Sequence, residues 1–199
     1  MKITFPLPHD DAVHRICMVC GTDNLRAVTH NGRRGYRCDH CNKTYDRSIF
    51  INPTMHFWLD EQGELWHESA HVFVRNADGK FLFYERTEYP FGLTVPAGHV
   101  DVGMTPSEAA VTELQEEVGV TGVPLRELMV IDTPVDACSA GADAHKVHIF
   151  MGRVEHLDIT MDTHEGHKPE WLTLDEAVQR PHLPLIDEAI RYCGDSLKA

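Results

Sequence analysis

The feature that most constrains this chain is a helix near its middle whose two ends are both marked by local sequence signals. Thr105 and Glu108 form a Thr-x-x-Glu capping box, and Pro106 occupies the first helical position. Gly119 stands where a glycine commonly ends a helix. The sequence therefore predicts a helix between Thr105 and Gly119. Its inward apolar stripe is expected to consist of Ala110, Val111, Leu114 and Val118.

Three glutamates share one face of this predicted helix. Glu113, Glu116 and Glu117 are spaced at i, i+3 and i+4, and like charges at that spacing destabilise an isolated helix by roughly 0.2–0.5 kcal/mol per pair. They also lie in the last turns, where the helix dipole disfavours negative charge. No lysine or arginine occurs between Gly98 and Arg126 to compensate them. A solvated acidic face is the ordinary explanation, but the missing cations favour a site for Mg²⁺ or Mn²⁺.

The segment from Gly98 to Val120 resembles the Nudix box, G-x5-E-x7-R-E-U-x-E-E-x-G-U, where U is aliphatic. The residues that match it are Gly98, Glu113, Leu114, Glu116, Glu117, Gly119 and Val120. Two positions depart from the box, because Met104 replaces its first glutamate and Thr112 replaces its arginine. In the family these two positions support the loop–helix–loop, whereas the later glutamates hold the metals. The resemblance thus implies an intact metal-binding half and a changed supporting pair.

Two C-x2-C knuckles near the N-terminus predict a metal site of a different kind. They lie 17 residues apart, a spacing typical of a four-cysteine zinc site, and consist of Cys17, Cys20, Cys38 and Cys41. Four thiolates close a tetrahedron around Zn²⁺, so this site is expected to be structural. An Asn31-Gly32 turn suits a hairpin between the knuckles, as in a short zinc ribbon. Disulfides are the alternative, and the lack of a recognisable secretion signal disfavours them.

The remaining cysteines and the histidines show no ligand spacing along the chain. Cys138 and Cys193 are interpreted as buried or incidental thiols. The 14 histidines contain no H-E-x-x-H or similar pattern, so most are expected to be surface or packing residues.

The net charge of the 199-residue chain, −13 at pH 7, is divided unevenly. Residues 1–58 hold 8 Lys and Arg against 5 Asp and Glu, whereas residues 59–199 hold 10 against 26. An acidic body repels polyanions, so we expect no nucleic-acid partner for it. Arg33, Arg34 and Arg37 leave open a nucleic-acid adaptor role for the cysteine module. No signal peptide or membrane-spanning stretch is recognisable, which predicts a cytoplasmic protein without a membrane partner.

The order of the predicted elements is typical of an α+β fold. Residues 1–54 are expected to form the cysteine module with a connector, and residues 55–199 the main domain. The expected strands are Met55–Leu59, Leu65–Arg75, Phe81–Arg86, Leu93–Val95, Leu128–Thr133 and Val147–Val154. One C-terminal helix is expected after the capping box that begins at Thr173, and another over Leu185–Tyr192.

The resemblance implies a Nudix-type mixed β-sheet sandwiched between helices and preceded by a small zinc ribbon with four cysteine ligands. A ribbon ahead of the box is similar to the NADH pyrophosphatase branch of the family. That branch carries a Ser-Gln-Pro-Trp-Pro-Phe-Pro signature after its box, whereas residues 130–136 here read Val-Ile-Asp-Thr-Pro-Val-Asp. The resemblance to the branch therefore includes the ribbon but not this signature.

The resemblance also implies a metal-dependent pyrophosphohydrolase. Such an enzyme cleaves a nucleoside diphosphate linked to another moiety, for example a dinucleotide or a nucleotide sugar, by water attack on phosphorus. Glu113 and Glu117 are the implied metal ligands, and Glu116 is a ligand or the base. The carbonyl of Ala97 is expected to add an oxygen ligand. Glu165 is expected to bind metal or orient water, with an ordinary loop glutamate as the alternative.

Substrate contacts follow from the same resemblance to a family that acts on small nucleotides. Tyr45, Phe91 and Phe50 are candidates for stacking on a base, or else are ordinary core residues, and Arg86 is a candidate for binding phosphate. The family also commonly forms homodimers. A protein of a different class, a catalytically weak Nudix-fold binding or regulatory protein, is the alternative that Met104 and Thr112 leave open.

Overall fold

The N-terminal part of the chain forms two small antiparallel sheets around the four cysteines. The computed structural model describes residues 2–30, 32–134, 136–155 and 158–198, so Asn31 of the expected turn lies outside the described residues. The strands of this part are β1 (His14–Ile16), β2 (Leu25–His30), β3 (Arg33–Cys38), β4 (Lys43–Tyr45) and β5 (Ile49–Ile51). Strands β2, β3 and β4 form one sheet, and β1 pairs with β5 in the other. A small β-rich module that carries a four-cysteine cluster is thereby confirmed.

The rest of the chain builds one mixed sheet with a helix layer on each face. Its elements are β6 (Phe57–Leu59), β7 (Leu65–Arg75), β8 (Phe81–Arg86), β9 (Leu93–Thr94), β10 (Ala97–His99), α1 (Pro106–Val118), β11 (Leu125–Thr133), β12 (Ala144–Arg153), β13 (Gly166–Leu172), α2 (Leu174–Ala177) and α3 (Pro184–Lys198). The main strand order is β11-β12-β7-β8-β13, and β6 and β10 also pair with β7. Strands β7 and β12 run parallel, whereas the other pairings are antiparallel. The predicted α+β fold is confirmed.

Successive side chains of the central strands supply two separate cores. Phe73 of β7 packs with α2 and α3 on one face of the sheet, whereas Val72 and Val74 pack with α1 on the other. This alternation follows from the two-residue period of a strand. Burying each such side chain stabilises the fold by about 1.5–3 kcal/mol. Strand β7 is buried on both faces, and it therefore fixes the positions of the strands beside it.

A third apolar cluster joins the N-terminal module to the main sheet. Ile16 of β1 and Ile49 of β5 pack against Leu65 of β7 and against Ala142 in the loop between β11 and β12. Arg47, just before β5, donates hydrogen bonds to carbonyl groups of the same loop and pairs with Asp143. The module therefore fixes a loop of the main sheet as well as its own strands.

Several local expectations need correction. Val111 is 46% exposed and does not belong to the inward stripe of α1, because Ala109 is buried instead and the buried Glu117 completes the inner face. Strands β10 and β13 were not expected. Strand β13 lies at the sheet edge and is half-exposed, and its few apolar residues give no period-2 signal. Among the described residues, no helix has the length and apolar character needed to cross a membrane.

The loop between β11 and β12 approaches β5 so closely that only glycine fits at position 141. Gly141 has φ +97°, and a Cβ there would lie 2.7 Å from Ile49 Cα and 2.8 Å from the Ser48 carbonyl oxygen. Both atoms belong to backbone, so the contact cannot relax by a side-chain rotation. This glycine is therefore needed for the N-terminal module to dock on the loop.

We expect Gly141→Ala to lower the free energy of unfolding by about 2–4 kcal/mol, through backbone strain and the clash with β5. Gly122→Ala is the matched control, since Gly122 has φ +72° but nothing within 4 Å of the position that a Cβ would take. It is expected to cost about 1 kcal/mol from strain alone. Urea unfolding of both variants at one fixed metal concentration measures the difference. Equal losses would contradict the close docking.

Candidate functional site

A cavity of about 360 Å³ lies between β10 and the C-terminal half of α1. It brings together most of the predicted site residues, namely Arg86, Ala97, Glu113, Glu116, Glu117 and Glu165. Asp136 and Asp162 line it as well, and neither was predicted from the sequence. Six carboxylates therefore face one cavity. Among the described residues, Arg86 is the only lysine or arginine that lines it.

Helix α1 is held in place by its own caps. The Thr105 hydroxyl accepts a hydrogen bond from the Glu108 N–H at 3.3 Å, and the Glu108 carboxylate accepts one from the Thr105 N–H at 2.8 Å. Gly119 ends the helix in the left-handed conformation, with φ 70°. Met104 is 40% exposed in the turn before the cap, so replacing the family glutamate there leaves the capped helix intact in this structure.

Two glutamates of α1, the half-buried Glu113 and the buried Glu117, fit against β10 by direct contact. The Glu117 Oε2 atom accepts a hydrogen bond from the Ala97 N–H at 2.9 Å. A Cβ at Gly98 would lie 1.8 Å from Glu113 Oε1, so glycine at this position leaves the space that the carboxylate occupies. The short strand thus fixes both carboxylates on the cavity wall, whereas Glu116 lies exposed at its mouth.

Desolvation raises the pKa of both carboxyl groups. Desolvation, together with the negative charges of Glu116, Glu165 and Asp101, raises the pKa of Glu113 to about 7. Burial likewise raises the pKa of Glu117 to about 8, against the lowering effect of the Ala97 N–H. Arg86 lowers both values, but its buried Nε has no hydrogen-bond partner among the described residues. Arg86 alone does not compensate the charge of these carboxylates when they are ionised. Carboxylate oxygens are the ligands that hard divalent cations prefer.

The loop before β13 completes the acidic wall. The Asp162 N–H donates to the Glu117 carbonyl at 2.8 Å, and the Glu165 carbonyl accepts a hydrogen bond from the Thr87 N–H at 3.1 Å. The loop therefore connects the end of α1 with the end of β8. Asp162 belongs to this wall only because of these long-range contacts, so no spacing in the sequence could have indicated it.

The predicted aromatic contacts lie in different places. Phe91 lines a smaller neighbouring cavity, and the Arg33 guanidinium lies 3.7 Å above its ring centroid. Tyr45 pairs with Tyr36 across β3 and β4 and does not line the main cavity. Among the predicted substrate contacts, only Arg86 therefore reaches the acidic cavity, and Phe50 lines a cavity beside it.

A second cavity of about 360 Å³ adjoins the first and is walled by the N-terminal module. The two cavities share His99, Glu113 and Ser139. The walls that the module contributes include Arg15, Arg34, Tyr36, Phe50 and Asn52. The Arg15 guanidinium lies 4.9 Å from the Tyr36 ring centroid and 4.6 Å from that of Phe50. A compartment that carries two arginines and two aromatic rings, together with Glu88 and Asp101, thus opens directly beside the acidic one.

The four predicted zinc ligands converge. The sulfur atoms of Cys17, Cys20, Cys38 and Cys41 all lie within 4.8 Å of one another. The Cys17–Cys41 and Cys20–Cys38 sulfur pairs are 3.8 Å apart, far beyond a disulfide bond. A tetrahedron of sulfurs about 2.3 Å from Zn²⁺ has edges of roughly 3.8 Å, so this geometry is compatible with zinc.

The two other cysteines differ from each other. Cys193 is buried in α3, as expected, and burial raises the pKa of its thiol to about 11. Cys138 is not an incidental thiol, because it lies in contact distance of three histidines at the cavity wall. Burial opposes ionisation of Cys138, but hydrogen bonds from His145, His67 and His99 hold its pKa well below the usual range of a thiol.

Residues 65–193 match the family described as NUDIX domain. The Nudix hydrolase orf19 of Rhodococcus erythropolis is 38% identical over 76 residues, which are 35% of this chain and 41% of that protein. Diphosphoinositol polyphosphate phosphohydrolase 3-alpha of Mus musculus is 27% identical over 122 residues, or 60% of this chain and 71% of that protein. The crystal structure of a MutT protein from Methanosarcina mazei Go1 superposes with a TM-score of 0.56 at 22% identity, covering 66% of this chain and 95% of that one.

The family match spans more than half of the chain, so the protein belongs to the Nudix family. Nudix enzymes use divalent metals and act on small nucleotide-type substrates. The chain spans less than half of the Rhodococcus protein that it matches, and the likeness to the MutT structure shows the fold alone.

Glu117→Gln is expected to stabilise the metal-free protein at alkaline pH. A carboxyl whose folded pKa is raised from 4.5 to about 8 binds its proton more tightly in the folded state, so wild-type stability falls as the pH rises from about 4.5 to 8. We expect the variant to match the wild type at pH 5 and to exceed it by about 2–4 kcal/mol at pH 8.

Urea unfolding without added divalent cation measures this difference. The exposed Glu61→Gln serves as the control and is expected to follow the wild type within about 0.5 kcal/mol at both values. Added Mg²⁺ should then raise wild-type stability more than that of Glu117→Gln. Parallel pH profiles for the wild type and Glu117→Gln would refute the raised pKa.

Proposed function

We propose that this protein is a metal-dependent pyrophosphohydrolase that cleaves a nucleoside diphosphate linked to a second moiety. The observation that carries the proposal is the pair of desolvated carboxylates, the half-buried Glu113 and the buried Glu117, held against β10 on the wall of the acidic cavity. Such a pair is unfavourable for the fold itself, because each carboxylate loses hydration and repels the other. Its arrangement is explained by binding a divalent cation with the substrate phosphates.

The residues divide into three roles in this proposal. Glu113 and Glu117 hold Mg²⁺ or Mn²⁺ with Glu116 beside them as a ligand or base, and the Ala97 carbonyl adds an oxygen. Glu165 orients water or binds a metal, and Asp162 lies next to it on the same wall. Arg86 binds the diphosphate, since its buried guanidinium Nε has no other partner among the described residues. The bound cations neutralise the diphosphate and lower the pKa of a water molecule for attack on phosphorus.

The adjoining cavity supports a substrate with a second moiety. It supplies two arginines, Arg15 and Arg34, and the aromatic rings of Tyr36 and Phe50 next to the acidic cavity. Aromatic faces stack on bases, and guanidinium groups bind phosphate. Phe50 is therefore the favoured stacking residue, whereas Phe91 and Tyr45 are weaker candidates from their positions.

The four-cysteine cluster holds structural Zn²⁺ in this proposal. The likeness to the NADH pyrophosphatase branch is confined to the ribbon ahead of the box, because residues 130–136 lack the branch signature. We therefore favour a diphosphate substrate other than NADH. Homodimers also occur in the family, and sizing of the purified protein tests that assembly directly.

A substrate screen with Mg²⁺ or Mn²⁺ tests the proposed function. Dinucleotides, ADP-ribose, nucleotide sugars and nucleoside triphosphates are each offered in water enriched in ¹⁸O. We expect turnover of at least one diphosphate-linked nucleotide, with the label in one phosphate of the products. Glu113→Gln and Glu117→Gln should each lower kcat/KM by at least about 100-fold, because each removes a charged metal ligand.

The exposed Glu61→Gln controls for a general loss of negative charge and should keep wild-type turnover. Tight nucleotide binding without turnover of any substrate would reject the enzyme in favour of a regulatory Nudix protein. Met104 and Thr112 are the observation that favours this second candidate, since both depart from the box.

Arg34→Gln is expected to raise KM about 10-fold with little change in kcat, because Arg34 lines the adjoining cavity and not the acidic one. Arg126→Gln, which removes an exposed arginine on β11, is the matched control and should leave both constants unchanged. Steady-state kinetics on the substrate found by the screen measure both variants. An unchanged KM for Arg34→Gln would remove this cavity from the substrate site.

A further inference from the structure

Three histidines and one cysteine converge at the wall of the acidic cavity, outside the glutamate site. They are His67, His99, Cys138 and His145, and one donor atom from each lies within 4.8 Å of the other three. We propose that these residues bind a first-row transition metal, Zn²⁺ in the first place, as a second nitrogen and sulfur site that ties the cavity wall together.

The sheet brings the ligands together from four separate segments. His145 of β12 lies directly opposite His67 in the parallel register of β7. His99 ends β10, whose register places it against Ser69, two residues from His67 on the same face of β7. Cys138 lies in the loop between β11 and β12. No local spacing joins these four residues, which is why a search for histidine motifs in the sequence fails to detect them.

The distances fit a tetrahedral site. His67 Nδ1 lies 3.2 Å from His99 Nε2 and 3.5 Å from Cys138 Sγ. Zn²⁺ bound by nitrogen at about 2.0–2.1 Å and by sulfur at about 2.3 Å separates its ligand atoms by roughly 3.3 Å and 3.6 Å. The ring centroids of the three histidines lie 4.9–5.9 Å apart, and so the rings converge without stacking face to face.

The cluster is also hard to explain as ordinary packing. The side chains of His67 and His145 are buried, at 0% and 3% exposure. Electron-pair donors that converge away from water repel one another unless protons or a cation lie between them. Imidazole and thiolate donors select zinc and related metals, whereas the carboxylates across the cavity select Mg²⁺ or Mn²⁺. The two donor sets therefore discriminate between the two kinds of ion.

The surroundings resemble the outer shell of a metal site. His145 turns its Nδ1 toward Asp136 Oδ2 at 3.6 Å, which leaves its Nε2 for the cluster. A carboxylate near the outer nitrogen of a ligating histidine orients the ring and makes it a better ligand. The Cys138 loop is fixed by Arg47, which donates to the Cys138 and Ala142 carbonyls. His99 and Cys138 remain partly exposed to the cavity, which gives an ion a path of entry.

The position of the proposed histidine–cysteine metal site indicates that its ion would stabilise the structure and would not take part in catalysis. Four protein ligands close the coordination sphere. The ion would connect β7, β10, β12 and the loop that docks on the N-terminal module. His99 directly follows Gly98, so the ion would also hold β10 in the position that presents Ala97 and Gly98 to α1. The proposal does not depend on the identity of the hydrolase substrate.

Metal content tests the site without reference to activity. The full-length protein is incubated with Zn²⁺, passed through a desalting column and analysed for zinc per chain. We expect two equivalents for the wild type, one in each cluster. Cys138→Ala and His145→Gln should each lose one equivalent, and the double variant Cys17→Ser/Cys20→Ser should lose the other. Cys193→Ala and His148→Gln, which alter a buried cysteine and a β12 histidine outside the cluster, should keep both.

Cobalt substitution of the wild type keeps the test decisive if a variant fails to fold. X-ray absorption of the Co²⁺ protein is expected to show five sulfur and three nitrogen ligands over two ions, the sum of the two clusters. One equivalent with sulfur ligands alone would overturn the proposal. Two equivalents retained by a folded Cys138→Ala would overturn it as well.

Discussion

The desolvation of two neighbouring carboxylates against β10 is the constraint on which the rest of the site depends. It raises the pKa of Glu113 to about 7, together with the charges of Glu116, Glu165 and Asp101. It raises the pKa of Glu117 to about 8, together with the charge of Glu113. The fold holds them there through the capped helix α1, the Ala97 N–H and the space that Gly98 leaves open. In the proposed function a hard divalent cation compensates this arrangement, which would couple the stability of the fold to turnover at the same residues.

Strand β10 is the element that connects the two sides of the cavity. Ala97 and Gly98 contact the oxygen donors of α1, whereas the next residue, His99, belongs to the nitrogen and sulfur cluster. Because β10 has only three residues, a shift of the glutamates on α1 would also displace His99 and its cluster. If both proposed sites bind metal, the separation of hard and soft donors would let them hold different ions without competing for one.

The N-terminal module contributes to the acidic site as well as carrying its own four-cysteine cluster. Its apolar residues share a core with β7 and with the loop that carries Cys138, and Arg47 holds that loop by hydrogen bonds. The same module supplies the arginines and aromatic rings of the compartment beside the acidic cavity. Because the family match begins at residue 65, this contribution is an addition to the shared fold.

The sequence by itself determined the features that depend on local spacing. The caps of α1, the face shared by its glutamates and the two cysteine knuckles each lie within a few residues, so helix periodicity and turn geometry already define them. Only the tertiary structure decided the rest: that Val111 faces solvent, that Asp162 joins the acidic wall, and that His67 and His145 lie opposite each other with Cys138 between. Those neighbours come from strands and loops far apart in the chain. Their proximity depends on sheet register and loop docking, which no single segment specifies.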